Sequence, residues 1–301
     1  MKFVLLSDVH LLWENPVARM DDLVEVQFDK LGFIFDKAKE LGAPILQSGD
    51  LFDKPRSWGL LPRVVEFLMH HGVKTYCVMG QHDTYMYSEE TRDRTNLGIL
   101  AKAGLVTLLD NERPVQIPGT DIQIFGANFG HKLGSIQRKG VTLGIIHASI
   151  SMEALYPGQI FSTPVNFMKE NPGYDLILCG DIHRMFYAEK NGCQILNTGP
   201  MTRQEATEYN FEHKPGFAVL ETDDMSIEWI EIPHSPADSV LSRSHLVRQK
   251  ENKEMLGGFV SELSGEEQIS GVSFIENLWD FVKENRIEQS VVDILAETIE
   301  G

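Results

Sequence analysis

The chain has 301 residues, of which 42% are hydrophobic and 24% are charged, and this composition is typical of a globular domain in water. It argues against low-complexity and membrane-embedded chains. The formal net charge of −17 disfavours unaided binding to nucleic acid, because charge-driven binding depends on neutralising phosphates. The 3 cysteines lack CxxC spacing, which argues against a disulfide framework and against a structural zinc site. The apolar run at residues 3–6 is too short for a signal sequence or a membrane span, so we expect a cytoplasmic protein with no membrane partner.

Short apolar runs alternate with helix-like stretches along most of the chain, which is typical of a layered α/β domain. Five of these runs are predicted strands of special interest, at 2–7, 44–48, 73–79, 141–146 and 175–179. Helices are predicted at 23–41, 61–70 and 95–103, each followed closely by a glycine that can end it. Further strands are predicted at 122–126, 194–196, 217–221 and 226–230.

The sequence changes in character near residue 233, beyond which polar and acidic residues are dense. We therefore expect a catalytic domain at 1–222 and a small acidic cap or partner-contacting region at 223–301. Apolar stripes at 274–285 and 287–299 predict two amphipathic helices in this second region. These stripes would form the core of the appendage, and contact with a partner protein is the alternative.

A carboxylate, a histidine or both follow each of the five runs of interest. These residues are Asp8 with His10, Asp50, the segment Gln81-His82-Asp83, His147, and Asp181 with His183. A single Asp or His after a strand is more often a helix cap or a loop hydrogen-bonder. Ligand sites in α/β folds gather at the carboxyl ends of strands, so five such positions together predict one shared metal site.

The residue types indicate which ions would fit. With carboxylate, imidazole and amide groups but no cysteine at these positions, the set suits manganese, iron, zinc or magnesium. Asp8 and His10 are two residues apart in an extended segment, so both side chains point to one side and can share a cation. The candidate ligands outnumber those that one tetrahedral ion can use, which predicts two ions with Asp50 as the bridging carboxylate.

The order DxH, GD, GxHD, a lone His and GxxH resembles the calcineurin-like metallophosphoesterase superfamily, which implies an α/β fold: a layered β-sandwich flanked by helices. Within it, four segments are similar to the SbcD family of DNA nucleases, which includes the eukaryotic meiotic recombination nuclease and recombination nucleases of large phages. They are Asp8-Val9-His10-Leu11, Ser48-Gly49-Asp50-Leu51-Phe52, Gly199-Pro200 after Asn197, and Lys214-Pro215-Gly216-Phe217. The resemblance covers residues 1–222 and fades in the rest of the chain.

The resemblance implies a role for each motif position. One ion would be held by Asp8, His10, Asp50 and His183, and the other by Asp50, Gln81, His147 and Asp181. His82 would position the phosphate and protonate the leaving 3′ oxygen, while Asp83 would orient its imidazole. The implied cofactors are two divalent ions, with Mn²⁺ favoured and Mg²⁺ as the alternative.

Three positions depart from the family pattern. Gln81 stands where the family usually has asparagine, Asp181 replaces the first histidine of GHxH, and Asp53 stands where relatives often carry a histidine. The extra methylene of Gln81 moves its amide oxygen outward. As a ligand, Asp181 would add a third anionic group, which favours hard ions such as manganese and magnesium.

Other residues are assigned by their surroundings in the sequence. Arg184 and Arg203 flank the site segments and are expected to contact DNA phosphates, with local ion pairs as the alternative. His70 and His71 precede Gly72 at a helix end, where imidazoles complement the helix dipole. Trp13 and Phe129 are expected to pack in the core rather than stack on bases, and the loop histidines are expected at the surface: His131, His213, His234 and His245.

These observations predict a manganese-dependent DNA nuclease of SbcD type, an exonuclease with some endonuclease capacity, in recombination, repair or phage DNA processing. The resemblance implies an SbcC-type coiled-coil ATPase as partner, with a homodimer of nucleases inside a heterotetramer. The acidity of the chain agrees with a nuclease that needs its partner to hold DNA. Two alternatives remain: a phosphoesterase for small substrates such as nucleotides or cyclic nucleotides, and a structural subunit of an ATPase complex whose site is weakened by Gln81 and Asp181.

Overall fold

A computed structural model describes residues 1–134, 136–137, 139–244, 274–285, 287, 289 and 291–292. The chain divides into two compact units, Met1–Arg243 and Ser244–Gly301. The first unit therefore extends past the boundary expected after residue 222, because the strand Ser226–Glu231 pairs along its whole length with the strand before it. In the described part of the chain, no helix has the length and apolar character needed to cross a membrane.

The first unit contains two mixed six-stranded sheets. In the first sheet the order is β12-β11-β1-β2-β3-β4, formed by β1 (Lys2–Leu6), β2 (Ile45–Gln47), β3 (Thr75–Cys77), β4 (Thr107–Leu108), β11 (Gly216–Glu221) and β12 (Ser226–Glu231). The second has the order β5-β6-β7-β8-β10-β9, formed by β5 (Val115–Gln116), β6 (Gln123–Ala127), β7 (Thr142–His147), β8 (Leu176–Gly180), β9 (Phe186–Lys190) and β10 (Cys193–Asn197). In the first sheet β1 to β4 run parallel, and in the second β6, β7, β8 and β10 do.

The α-helices described in the first unit are α1 (Leu23–Leu41), α2 (Leu60–His71), α3 (Asn96–Lys102), α4 (Pro164–Glu170), α5 (Glu208–Glu212) and α6 (Ala237–Val240). Three helices, α1 to α3, pack on the outer face of the first sheet, α4 packs on that of the second, and α5 and α6 pack against each other. The side chain of Asp22 caps α1 by accepting from the N–H of Glu25, and Gly42 ends the helix in the left-handed conformation. The three helices predicted from apolar spacing and glycine stops are thus confirmed to within one residue at each end.

The core has three layers, and alternation along each strand assigns side chains to them. Phe3 and Leu5 of β1 face the second sheet and pack between the sheets with residues such as Leu143. Their neighbours Val4 and Leu6 face the helical layer formed by α1 and α2. A central strand buried on both faces reads as a continuous apolar run, which explains the unbroken hydrophobicity of residues 3–6. The α/β sandwich flanked by helices is therefore confirmed.

The second unit is described only in part. It contains α7 (Phe274–Glu284), which confirms a helix in the first apolar stripe, and its Leu278 and Val282 side chains are buried. Most of the second stripe, 287–299, lies outside the described residues, as does most of the polar segment that follows residue 244.

Candidate metal centre

Loops at the carboxyl ends of five strands bring the predicted ligands together. Asp8 and His10 follow β1, Asp50 follows β2, and Gln81 follows β3, in a sheet where these three strands run parallel. In the second sheet His147 ends β7 and Asp181 follows β8, which pairs parallel with β7. Parallel strands end at the same edge, so residues separated by more than a hundred positions meet there.

The backbone is strained at this edge. Four site residues adopt left-handed conformations that non-glycine residues rarely take: Asp8 (φ 42°), His10 (φ 48°), Asp50 (φ 52°) and Asp181 (φ 97°). Each such conformation costs on the order of 1–3 kcal/mol and persists only where surrounding structure enforces it. Their concentration at one sheet edge marks a site whose geometry is maintained at the expense of local stability.

Two glycines make room for the ligands. A Cβ atom on Gly80 would lie 2.0 Å from Oδ1 of Asp50, and one on Gly49 would lie 2.3 Å from Nδ1 of His147. Gly49 also has φ 97°, which an L side chain rarely adopts. The glycines that precede Asp50 and Gln81 in the sequence motifs therefore permit the close approach of backbone and ligand that was expected.

One group of ligand atoms comes from Asp8, His10 and His183. The Nε2 atoms of His10 and His183 lie 2.9 Å apart, and Nε2 of His183 lies 4.0 Å from Oδ1 of Asp8. Two nitrogen ligands that bind one ion at about 2.1 Å and about 90° to each other lie about 3 Å apart. The spacing of the two imidazoles therefore fits a shared cation.

A second group comes from Asp8, Asp50 and His147, and a third from His10, Asp50 and His82. Nε2 of His147 lies 3.2 Å from Oδ2 of Asp50, and Nε2 of His10 lies 3.5 Å from the same oxygen. Asp50 is thus common to both sides of the centre, which is the position predicted for a bridging carboxylate. Nδ1 of His147 donates to the carbonyl of Ser48 at 2.7 Å, so Nε2 is the nitrogen that faces the centre and is available to a cation.

Unpaired polar atoms test whether the site fits metal ions. Among the described residues, the buried side-chain atoms without a hydrogen-bond partner include Oδ2 of Asp8, Nδ1 of His10, Oδ2 of Asp50, Oε1 of Gln81 and Nε2 of His147. Buried polar atoms are almost always paired, because desolvation without a partner is unfavourable. Nδ1 of His10 faces the carboxylate of Asp53, but the other four atoms belong to predicted ligands and are oxygen or nitrogen donors only, which fits divalent cations.

Burial and mutual charge shift the ionisation of these groups. Burial raises the pKa of Asp8 to about 6, partly opposed by His147 and His10. Burial also disfavours the charged forms of Asp50 and His147, but their mutual attraction outweighs it, so the pKa of Asp50 is lowered and that of His147 is raised. A divalent cation would stabilise both carboxylates as anions and the imidazole as a neutral ligand.

Gln81 and Asp181 contact each other, but only Gln81 has a buried oxygen without a hydrogen-bond partner. Nε2 of Gln81 donates to Oδ1 of Asp181 at 2.8 Å, and the hydroxyl of Ser149 donates to Oδ2 of Asp181. Asp181 belongs to none of the candidate ligand groups found in the described part of the chain. The sequence carried no signal for Ser149, whose contact depends on the tertiary fold.

His82 lies exposed beside the ligands, and its backbone N–H donates to Oδ1 of Asp50 at 2.8 Å. Its ring packs edge-on against that of His10, with 4.9 Å between centroids. Nδ1 of His82 lies 2.9 Å from the carbonyl oxygen of Asp53, so this carbonyl orients the ring. The carboxylate of Asp53, which stands where relatives often carry a histidine, lies 3.5 Å from Nδ1 of His10. This residue therefore contacts a predicted metal ligand.

The expected role of Asp83 in orienting His82 is corrected. Asp83 is fully buried and accepts hydrogen bonds from the backbone N–H groups of Gly80, Phe52 and Leu51. Burial, reinforced by the charge of Asp50, raises the pKa of Asp83 to about 7. The side chain therefore fastens the loops after β2 and β3 to each other.

The two arginines differ from the expectation of DNA contact. Arg203 is only 4% exposed, and it donates to the carbonyls of His213 and Ser235, so it is a structural residue rather than a phosphate contact. Arg184 is partly exposed, and its guanidinium lies 3.9 Å from the ring centroid of Tyr209. Arg184 therefore remains a candidate contact for a DNA phosphate, and stacking on Tyr209 holds its guanidinium in place.

Two further expectations are corrected. His213 is buried, whereas the loop sequence predicted an exposed position; its Nε2 lies 2.8 Å from the carbonyl of Pro200, and burial lowers its pKa to about 4. Trp13 is 50% exposed rather than part of the core, and it packs over Gly59. The positions of His213 and Trp13 depend on loops whose course the local sequence does not specify.

His70 and His71 lie at the end of α2, before Gly72 in the left-handed conformation, as the sequence predicted.

Comparison with solved structures finds several chains of weak similarity. A Thermus thermophilus protein, TT1561, is 10% identical, with a TM-score of 0.49 over 77% of this chain and 99% of that one. An archaeal phosphodiesterase is 14% identical, with a TM-score of 0.42 over 77% and 100%. A candidate 5′-nucleotidase from Staphylococcus aureus is 14% identical, with a TM-score of 0.45 over 83% and 58%.

No curated protein matches the chain significantly. Residues 1–185 match the family model described as calcineurin-like phosphoesterase. This match spans the loops after β1, β2, β3, β7 and β8, and so includes every ligand position described above. The chain belongs to the calcineurin-like phosphoesterase family.

Proposed function

We propose that this metal-dependent phosphoesterase is a DNA nuclease of SbcD type that hydrolyses phosphodiester bonds with two Mn²⁺ ions, or with Mg²⁺ as the alternative. The observation that carries the proposal is the combination of four buried ligand atoms that lack a hydrogen-bond partner with one exposed imidazole, that of His82, fixed beside them. The first feature suits paired cations, and the second suits delivery of a proton to a leaving alkoxide.

The residues divide between two ions around Asp50. Asp8, His10 and His183 would hold one ion, and His147 and Gln81 the other, with Asp50 shared. When bound, such ions polarise the phosphoryl group and lower the pKa of water, so that hydrolysis proceeds near neutral pH. The loops that hold these residues supply positioning, because their strained backbones and tight glycine contacts leave the ligands little freedom.

His82 would act on the leaving group. The N–H at Nδ1 of His82 donates a hydrogen bond to the carbonyl oxygen of Asp53. When the ring is doubly protonated, Nε2 is therefore the nitrogen that can donate its proton to a substrate. The leaving 3′ oxygen of a phosphodiester is a poor anion and needs this proton. The exposure of His82 lets a substrate reach it, whereas His147 is fully buried and cannot serve this purpose.

The choice of DNA as the substrate rests on the segments that resemble the SbcD family, two of which lie outside the matched region. The SbcD-like Asn197 donates through Nδ2 to the carbonyl of Ile182 at 2.7 Å, and so braces the loop that carries His183. The net charge of −17 requires positive charge from elsewhere to retain DNA. We propose that an SbcC-type coiled-coil ATPase supplies it, with two nuclease chains in a heterotetramer located in the cytoplasm.

A small phosphoester is the second candidate substrate, because a cavity adjoins the centre. The cavity has a volume of about 330 Å³ and is lined by Ser149, Leu155, Tyr156, Gln159, Ile160, Asp181, Ile182 and His183. Its volume lies at the lower end of the range for small-molecule sites, and its walls combine apolar and polar groups. A nucleotide base bound there would place its phosphate near His183.

A comparison of turnover on DNA and on a small ester distinguishes the two candidate functions. Purified protein would be incubated in Mn²⁺ with linear double-stranded DNA, single-stranded DNA and bis-p-nitrophenyl phosphate, with and without an SbcC-type ATPase. A nuclease cuts DNA, and His82→Ala lowers the rate by about 100-fold or more while Mn²⁺ binding persists. His70→Ala, which removes an exposed imidazole at the end of α2, is the matched control and should retain full activity.

Turnover of small esters without DNA cleavage in any of these mixtures would favour the second candidate. A folded protein that binds Mn²⁺ but turns over none of the substrates would contradict both, and would indicate a structural subunit.

A further inference from the structure

Two of the three departures from the family pattern, Gln81 and Asp181, contact each other. Asp181 accepts from Nε2 of Gln81 through Oδ1 and from the hydroxyl of Ser149 through Oδ2. Its backbone N–H donates to Oδ1 of Asp8 at 2.8 Å. Asp181 therefore connects the loops after β1, β3 and β7, and each of its carboxylate oxygens accepts one hydrogen bond from them.

This network decides which way the amide of Gln81 faces. An ionised carboxylate only accepts hydrogen bonds, so the amide must turn its nitrogen toward Asp181. Its oxygen, Oε1, is then directed elsewhere, where it is buried and has no hydrogen-bond partner. In that respect Oε1 resembles Oδ2 of Asp50 and Nε2 of His147, which belong to a candidate ligand group.

The carboxylate of Asp181 differs from these atoms. Neither of its oxygens is an unpaired buried atom, and it falls in no candidate ligand group within the described residues. Without this carboxylate the amide of Gln81 would be free to rotate, and its oxygen would lose the orientation that makes it a ligand.

We propose that Asp181 is a positioning residue, which holds the Gln81 amide so that Oε1 binds the second ion, and that Asp181 itself is not a ligand. Ser149 supports Asp181 from its other side. The inference rests on the metal centre of the proposed function but is independent of the substrate, so DNA cleavage neither supports nor opposes it.

Metal binding by the full chain tests the proposal without an activity measurement. Metal-free protein would be titrated with Mn²⁺ by calorimetry, and the spin-coupled ion pair would be followed by electron paramagnetic resonance. Gln81→Ala and Asp181→Ala should each weaken binding of the second ion about 10–100-fold, as loss of supporting contacts at metal sites commonly does. The double variant should bind no more weakly than Gln81→Ala alone, because Asp181 acts through Gln81.

Asp181→Asn separates orientation from ligation. The asparagine keeps an oxygen that can accept from Gln81, so we expect affinity within about threefold of the native chain and a retained ion-pair signal. Asp121→Ala, which removes an exposed aspartate between β5 and β6, is the control for loss of negative charge and should leave both binding steps unchanged.

Three results would overturn the proposal. If Asp181→Asn is as damaging as Asp181→Ala, or if the losses of the single variants add in the double variant, Asp181 binds the ion directly. If Gln81→Ala leaves the second binding step unchanged, Gln81 is not a ligand. Failure of the native chain to bind two ions would remove the metal centre itself, and with it the proposed function.

Discussion

Replacing Gly80 by alanine should disable the metal centre while leaving the protein folded. Gly80 has φ −89° and ψ 178°, a region that alanine adopts freely, so the backbone itself opposes nothing. The added Cβ would lie 2.0 Å from Oδ1 of Asp50, about 1.4 Å short of ordinary contact at 3.4 Å. Asp50 cannot retreat easily, because its own backbone is left-handed and its Oδ1 accepts from the N–H of His82.

The magnitude follows from that displacement. Inserting a methyl group into a packed site costs about 1–3 kcal/mol of unfolding free energy. A shift of about 1 Å in a group that organises chemistry costs on the order of 100-fold in rate. Because Asp50 is shared by both sides of the centre, Gly80→Ala should weaken binding of both ions and lower phosphodiester turnover about 100-fold.

The assay would combine Mn²⁺ calorimetry, turnover of bis-p-nitrophenyl phosphate and thermal unfolding. Gly32→Ala is the matched control, since a Cβ at this position in α1 meets no atom within 4 Å. It should stabilise the protein by about 0.5–1 kcal/mol and leave metal binding unchanged. Native Mn²⁺ affinity in a folded Gly80→Ala variant would refute the reasoning, because the methyl group and the Asp50 carboxylate cannot occupy the same space.

Three further predictions concern residues whose roles the structure corrected. Asp83→Ala should lower the free energy of unfolding by about 3–5 kcal/mol, measured by denaturant titration, because three backbone N–H groups lose a buried acceptor; an unchanged stability would show that these contacts are dispensable. Arg203→Ala should cost about 2–4 kcal/mol and leave binding of short DNA unchanged, since the guanidinium is buried on two carbonyls; weakened DNA binding at native stability would restore its predicted role as a phosphate contact. His213 has a folded pKa of about 4, below its ordinary value of 6.5, so its contribution to stability is complete above pH 6.5 and is lost as the pH falls toward 4. This contribution should fall by up to about 1.4 kcal/mol per pH unit in that window, measured as the difference in unfolding free energy between the native chain and His213→Gln, because the opposite pH dependence of buried Asp8 and Asp83 is common to both proteins.

The ligand positions could be predicted because they depend on a simple relation between sequence and topology. A β-strand that is buried on both faces reads as an apolar run, and the first polar residue after it marks its carboxyl end. Asp8, Asp50 and His147 were identified in this way, and they do meet in one candidate ligand group. The helices followed similarly from apolar spacing and terminal glycines, of which Gly42 and Gly72 are left-handed.

The predictions that were wrong concern polar residues in loops. Arg203 and His213 lie in segments without periodic apolar residues, so nothing local showed that these segments fold inward and pair with carbonyl groups. The pairing of Asp83 with backbone N–H groups could not be anticipated either, because a carboxylate beside a histidine has the same sequence whichever partner it takes. The pairing of β12 with β11 could likewise not be anticipated, since β12 is partly exposed and its composition does not show its partner.

The sequence by itself determined which strands are buried, where they end and which metal-binding side chains follow them, because burial and strand direction leave a periodic and compositional record along the chain. Only the tertiary structure decided how those side chains share the available hydrogen bonds: that the carbonyl of Asp53 orients His82, and that Asp181 accepts from Gln81 and Ser149. The physical reason is that a polar atom in a loop has many possible partners. Selection among them depends on distances of a few ångströms between segments that are far apart in the chain.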